Sequence, residues 1–137
     1  MSEKASGDTQ RSAAGLRILV VDDEALIRWS LLETLTSCGH AVVEAGDAAG
    51  AVQAVTTAGV PFDVVLLDFR LPDSNDLVLL SRLRRLAPAT RVILMTAYGT
   101  PEILQNALDL GACRVISKPF DMNDVLPLVR QAHASRS

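Results

Sequence analysis

A chain of 137 residues is long enough for one domain with a real core and too short for two. Its 49% hydrophobic and 21% charged content is that of a soluble globular protein, and a net charge of −3 leaves no basic stripe for nucleic-acid phosphates. No stretch approaches the ~20 apolar residues of a membrane span, and no apolar segment near the N-terminus marks the chain for export, so a cytoplasmic location is expected.

Residues 1–15 are small and polar without any period and read as a flexible leader, unable to bury enough surface to offset chain entropy. A first strand follows at about 17–22. Glu24 to Cys38 reads as a helix with Ile27, Leu31, Thr34, Leu35 and Cys38 on one stripe and Gly39 placed to end it. Trp29 lies off that stripe with Leu32 beside it. The pair reads either as loosely covered surface or as part of a docking patch. Ala41 to Ala45 is a second strand, and Asp47 to Ala58 an Ala-rich second helix closed by Gly59. The run Asp63 to Asp68 is a third strand, aliphatic enough to be buried on both faces.

Beyond Pro72 a third helix is expected over about 76–86, stopped by Ala87-Pro88, and its Arg82, Arg84 and Arg85 read as a solvated face. Arg91 to Thr96 is a fourth strand. Thr100-Pro101-Glu102 has the form of a helix start, and that helix runs to about Leu110, where Gly111 ends it. Arg114 to Lys118 is a fifth strand, and Asp121 or Asn123 caps a last helix to about His133, with Pro127 near its first turn. Residues 135–137 form a short tail. Cys38 and Cys113 suggest neither a metal pair nor a disulfide and read as small buried hydrophobes. His40 and His133 read as surface residues. Strand and helix alternate five times, which means an α/β domain with a parallel sheet covered on both faces.

The chemistry gathers where strands end. Val64-Val65-Leu66-Leu67 stops on Asp68, Ile18-Leu19-Val20-Val21 on Asp22-Asp23-Glu24, Val92-Ile93-Leu94-Met95 on Thr96, and Val115-Ile116-Ser117 on Lys118. Open α/β sheets bind ligands at the carboxyl ends of their strands, and in the doubly wound order 2-1-3-4-5 strands 1 and 3 flank the switch point. That order brings Asp22, Asp23 and Asp68 into one crevice, where three carboxylates repel unless a cation joins them. Mg²⁺ suits such a set, since it takes one or two carboxylates, keeps several waters and binds phosphate oxygens. Lys118 supplies a point charge for a phosphoryl oxygen, Thr96 a hydroxyl, and Ala97 a backbone N–H beside a small side chain. The combination suggests phosphoryl transfer onto Asp68.

The set Asp22-Asp23, Asp68, Thr96-Ala97 and Lys118-Pro119-Phe120 resembles the receiver domain of two-component response regulators, with the resemblance running over residues 16–134. It implies a flavodoxin-like fold and Asp68 as phosphoacceptor. It implies Asp23, Asp68 and the backbone carbonyl of Arg70 as Mg²⁺ ligands, with Asp22 reaching the metal through water. Thr96 and Lys118 are then the groups that contact the phosphoryl, and the Lys118–Pro119 peptide is expected to be cis. The implied partner is a sensor histidine kinase or a phosphotransfer protein, with Ile27, Trp29 and Leu32 as the expected contact patch. The stretches Leu71-Pro72-Asp73 and Met95 to Gly99 are similar to receivers of enhancer-dependent transcription activators. Such a domain either stands alone or belongs to a longer regulator.

Two positions depart from the family pattern. Val115 stands where an aromatic usually couples to the threonine, and Asp76 where a glycine is common. The expected switch is therefore carried by Thr96, Ala97, Tyr98 and the helix after them rather than by a swinging ring, with phosphorylation-enhanced homodimerisation through that face or, alternatively, an altered contact with an effector. Two other readings compete. One is a small Mg²⁺-dependent phosphohydrolase, but such enzymes carry a second acid where this chain has Arg70 and an insertion it lacks. The other is a pseudo-receiver that only binds partners, which the loss of an acidic, Thr or Lys position would favour.

Overall fold

The computed structural model describes residues 15–74, 77–97 and 99–134. Five parallel strands, β1 (Arg17–Val21), β2 (Ala41–Ala45), β3 (Val64–Asp68), β4 (Arg91–Thr96) and β5 (Arg114–Ser117), form one sheet in the order β2-β1-β3-β4-β5. The connecting helices are α1 (Ala25–Ser37), α2 (Ala48–Thr57), α3 (Val78–Leu86), α4 (Pro101–Asp109) and α5 (Met122–Ala134).

The three inner strands are buried along nearly their whole length, which is why they read as unbroken aliphatic runs. Alternate residues serve opposite faces. Ile18, Val20, Val64, Leu66, Ile93 and Met95 pack with Leu31 and Leu35 of α1 and with Val125, Val129 and Ala132 of α5. Leu19, Val21, Val65, Leu67, Val92 and Leu94 pack with Ala51 of α2, Leu79, Leu80 and Leu83 of α3, and Ala107 of α4. The edge strands β2 and β5 are more exposed and correspondingly less apolar.

Helix boundaries follow local chemistry. The Asp47 carboxylate accepts from Gly50 N at 2.7 Å to cap α2, Thr100 Oγ1 accepts from Ile103 N at 3.2 Å to cap α4, and Asp121 Oδ1 accepts from Asn123 N at 2.9 Å at the start of α5. Gly39 and Gly111 take φ of 90° and 106° at the ends of α1 and α4, as their positions suggest. Gly59 does not act this way, because α2 stops at Thr57 and Ala58 is already extended.

Five other sequence expectations need correction. His40 is buried rather than on the surface, and its Nδ1 accepts from Leu16 N at 3.2 Å, tying the end of α1 to the start of β1. His133 is half-buried, with Nδ1 3.8 Å from Asp63 Oδ1. Arg84 turns away from a solvated face to donate to the carbonyls of Pro88 and Thr90 at 3.1 and 2.7 Å. Pro127 falls in the second turn of α5, since that helix already begins at Met122. Cys38 and Cys113 are free thiols, half-buried rather than fully so. Among the described residues no helix is long and apolar enough to cross a membrane.

Gly111 is the most constrained of the described glycines. A Cβ there would meet Arg84 Nε at 2.7 Å in a backbone conformation that L-residues disfavour, whereas one at Gly59 would meet nothing within 4 Å. Gly111→Ala should therefore cost about 1–3 kcal/mol of stability and Gly59→Ala less than about 0.5 kcal/mol, as read by urea unfolding. Equal midpoints for the two variants would contradict this packing.

Candidate functional site

The carboxyl edge of the sheet carries a cleft of about 450 Å³ lined by Asp23, Glu24, Asp68, Arg70, Thr96 and Lys118, among others. Strand order explains it. Connections from β1 and β3 leave toward opposite faces of the sheet, so their ends diverge and the adjacent loops open a gap. Asp22 ends β1 fully buried, its N–H donating to Ala45 O at 3.1 Å and one carboxylate oxygen accepting from Glu24 N at 2.9 Å. Asp68 ends β3 at 6% exposure, and its Oδ1 accepts from Arg70 N at 3.3 Å. Asp23 faces the solvent. One carboxylate oxygen from each of Asp22, Asp23 and Asp68 lies within 4.8 Å of the others.

The countercharge is Lys118. Its Nζ lies 2.9 Å from Asp22 Oδ2, 3.2 Å from Asp68 Oδ2 and 3.4 Å from Glu24 Oε1. Its backbone N–H donates to Thr96 O at 2.8 Å, which fastens the end of β5 to the end of β4, and the Lys118–Pro119 peptide is cis. Burial pulls the ammonium pKa down, but the contacts with Asp22 and Asp68 outweigh it and hold the value above that of an ordinary lysine. Burial and the Asp22 charge push the Asp68 carboxyl up to about 6, against partial relief from Lys118 and the Arg70 amide. Three oxygens of hard character, gathered and only partly neutralised, are a donor set that fits a small divalent cation.

Thr96 is 1% exposed at the end of β4, and Ala97 is exposed beside it on the cleft. Tyr98 and Asp76 lie outside the described residues. Thr96 is registered against Ser117, while Val115 pairs with Leu94 one step down the same face and packs into the core with it. Val115 is thus placed below Thr96 and not beside it. Of the three expected contact residues, Ile27 lines a second groove of about 410 Å³ with Glu24, Pro119, Phe120 and Met122. Trp29 is 58% exposed and Leu32 half-buried.

Sequence reasoning passed over three participants. Glu24, next to Asp22-Asp23, is the third carboxylate on Lys118. Arg28 donates to Asp22 O at 2.6 Å and to Glu44 Oε1 at 3.1 Å, clamping the acidic loop. Asp73 reaches across to α2. For Glu24 the adjacency was the available signal; the other two act through backbone atoms that no motif displays.

A doubly wound sheet with this acidic, lysine-bridged edge defines a receiver-type signalling domain. Comparison with known proteins agrees, the sequence profile of the response regulator receiver domain matching residues 18–130, and the chain belongs to that family. It is 34% identical over 115 residues to sporulation initiation phosphotransferase F of Bacillus subtilis, covering 84% of this chain and 91% of that protein. It is also 34% identical over 115 residues to the DNA-binding transcriptional regulator NtrC of Azospirillum brasilense, but there it spans only 24% of the relative's length. Among solved structures, a CheY-like receiver domain from Methanospirillum hungatei superposes with a TM-score of 0.83 at 29% identity, covering 89% of this chain and 96% of that one. NtrX of Brucella abortus gives 0.81 at 30% identity, over 89% of this chain and 27% of that one. The protein is a two-component response regulator receiver, a signalling domain rather than a dedicated enzyme.

The crowding at Asp68 has a measurable consequence in metal-free protein. Its folded pKa near 6 stands above the ordinary carboxyl value, so the fold bears no penalty below pH ~4 and a growing one as pH rises toward 6. At pH 7.5 with a chelator present, Asp68→Asn should be more stable than the wild type by about 1–3 kcal/mol in thermal melts. The gain should vanish below pH ~4. A destabilised Asn variant at pH 7.5 would mean that Lys118 overcompensates the crowding.

Proposed function

We propose that Asp68 accepts a phosphoryl group from a phosphohistidine donor, either a sensor histidine kinase or a phosphotransfer protein, and that the modified domain changes its surface. The observation that carries this reading is the Lys118 ammonium 3.2 Å from the Asp68 carboxylate, in a cleft that Asp23 and Glu24 also line. Asp23, Asp68 and the Arg70 carbonyl would hold Mg²⁺, with Asp22 reaching it through water. When bound, the ion would neutralise charge on the phosphoryl oxygens. An Asp68 oxygen forms the new O–P bond as the P–N bond to the donor imidazole breaks and its electron pair returns to nitrogen. Lys118 meets the transferred oxygens as a point charge, and the Ala97 N–H and Thr96 hydroxyl receive another of them. The same pocket assists the later hydrolysis of the acyl phosphate.

The change of surface begins at Thr96. A phosphoryl group adds about −1.5 to −2 charge, and drawing Thr96 toward it moves Ala97, Tyr98 and the start of α4. Val115, packed one step below, lacks the bulk to follow as a ring would. The face of α4, β5 and α5 then changes, and a phosphorylation-enhanced homodimer would form through that face. The donor docks over Ile27, Trp29 and Leu32, on the α1 side of the cleft. The domain spans residues 16–134 and works in the cytoplasm, where such donors present their histidines.

With Mg²⁺ and acetyl phosphate, intact-mass spectrometry should show one added phosphoryl group on the wild type and none on Asp68→Asn. On the beryllofluoride-treated protein, amide exchange should change over residues 96–110. Full labelling of Asp68→Asn would remove Asp68 as acceptor. Exchange that changes only in α1 would refute the proposed route of the switch.

A further inference from the structure

The turn after β3 is held far more firmly than a surface loop requires. Leu71 N donates to Ser74 O at 2.7 Å and Ser74 N to Leu71 O at 3.1 Å, closing a four-residue turn with Pro72 and Asp73 at its tip. Leu71 is buried in the core on the α2–α4 side. From the tip the exposed Asp73 carboxylate reaches the start of α2, its Oδ1 accepting from Ala48 N at 2.7 Å and its Oδ2 from Ala49 N at 3.1 Å. Those two amides hold the Asp73 carboxyl below its ordinary pKa, a mark of hydrogen bonding to the charged form.

Capping alone does not account for this contact. The helix has its own cap in Asp47, whose side chain takes Gly50 N at 2.7 Å and whose carbonyl takes Ala51 N at 3.1 Å. Three amides of the first turn are thus shared between a local carboxylate, on Gly50, and one lying 24 and 25 residues away, on Ala49 and Ala48. The distant one belongs to the loop that carries Arg70, whose N–H donates to Asp68 Oδ1 at 3.3 Å. The other acidic loop is tied to the same corner, because Asp22 N donates to Ala45 O at the end of β2, just before Asp47.

We infer that Asp73 is a positioning residue for the acidic pocket: it fixes the Arg70 backbone by bolting the β3–α3 turn to the α2 N-terminus. This rests on the reading of that pocket as a divalent-cation site. A ligand contributed by the main chain has no rotamer of its own to adjust, so its position is only as good as the turn that holds it. Two carboxylate bonds to a helix end, with Leu71 seated in the core, supply that hold. Outer partners of metal ligands typically change affinity about 10–100-fold when removed, and an effect passed through three residues of backbone falls at the lower end.

The test is a Mg²⁺ titration followed by amide NMR shifts in wild type, Asp73→Ala, Asp73→Asn and Asp47→Ala. Asp73→Ala should raise the apparent dissociation constant about tenfold. Asp73→Asn, which keeps one acceptor oxygen, should fall between it and the wild type. Asp47→Ala loosens α2 without touching the turn and should stay within about twofold of wild type. In metal-free protein the Arg70 amide should exchange faster in Asp73→Ala than in Asp47→Ala. Matching constants for wild type and Asp73→Ala, or an equal loss in Asp47→Ala, would overturn the inference and leave the pocket reading standing. A wild type that does not respond to Mg²⁺ would overturn both.

Discussion

A single ammonium group, Lys118 Nζ, lies within 3.4 Å of three carboxylates drawn from two loops. Two of them, Asp22 and Asp68, are buried. Burying like charges together is costly, and removing the cation of such a cluster leaves uncompensated charge in a poorly solvated place. The edge of the sheet can therefore be acidic because the chain returns a lysine to it from the far side. The lysine stays there because its own backbone is hydrogen-bonded to Thr96. Phosphoryl chemistry at Asp68 would begin from this balance of charge.

The rest of the fold serves that edge. Parallel order places all five strand ends on one side, and the reversal of strand order at β1 and β3 opens the cleft there. Two apolar layers, one under α1 and α5 and one under α2, α3 and α4, fix the heights of the strands. Loop geometry is then set by a few bonds: Arg28 on the Asp22 carbonyl, Ala45 on the Asp22 amide and Asp73 on α2. The site is hydrogen-bonded where it holds charge, and Gly99 and the α4 cap lie where the proposed switch moves.

Much of this was legible from residues alone. The inner strands declare themselves because burial on both faces leaves almost no polar position to break the run, and each leads to a residue that the proposed chemistry uses. Gly39, Gly111 and Thr100-Pro101 mark helix ends through backbone constraints that act locally. What stayed hidden is non-local. His40 reads as a turn histidine, and only the packing of β1 against the end of α1 makes it a buried acceptor. Arg84 looks like one of three surface arginines until the Pro88 and Thr90 carbonyls come within its reach. Asp73 looks like an ordinary turn residue, and its partners are backbone amides that any sequence could have supplied. Val115 could be seen to lack an aromatic ring, but not that its place lies one step below Thr96 in the β4–β5 register.

The central claim is that the Lys118 charge is what makes the carboxylate cluster tolerable. The most direct measurement is a double-mutant cycle on unfolding free energy in metal-free protein, combining Lys118→Met with Asp22→Asn. If the claim holds, Lys118→Met alone should destabilise by about 3 kcal/mol or more. Adding Asp22→Asn should recover a large part of that, for a coupling of about 1.5–3 kcal/mol. Additive effects, with a coupling below about 0.5 kcal/mol, would show that the acids are accommodated without the lysine and would contradict the account.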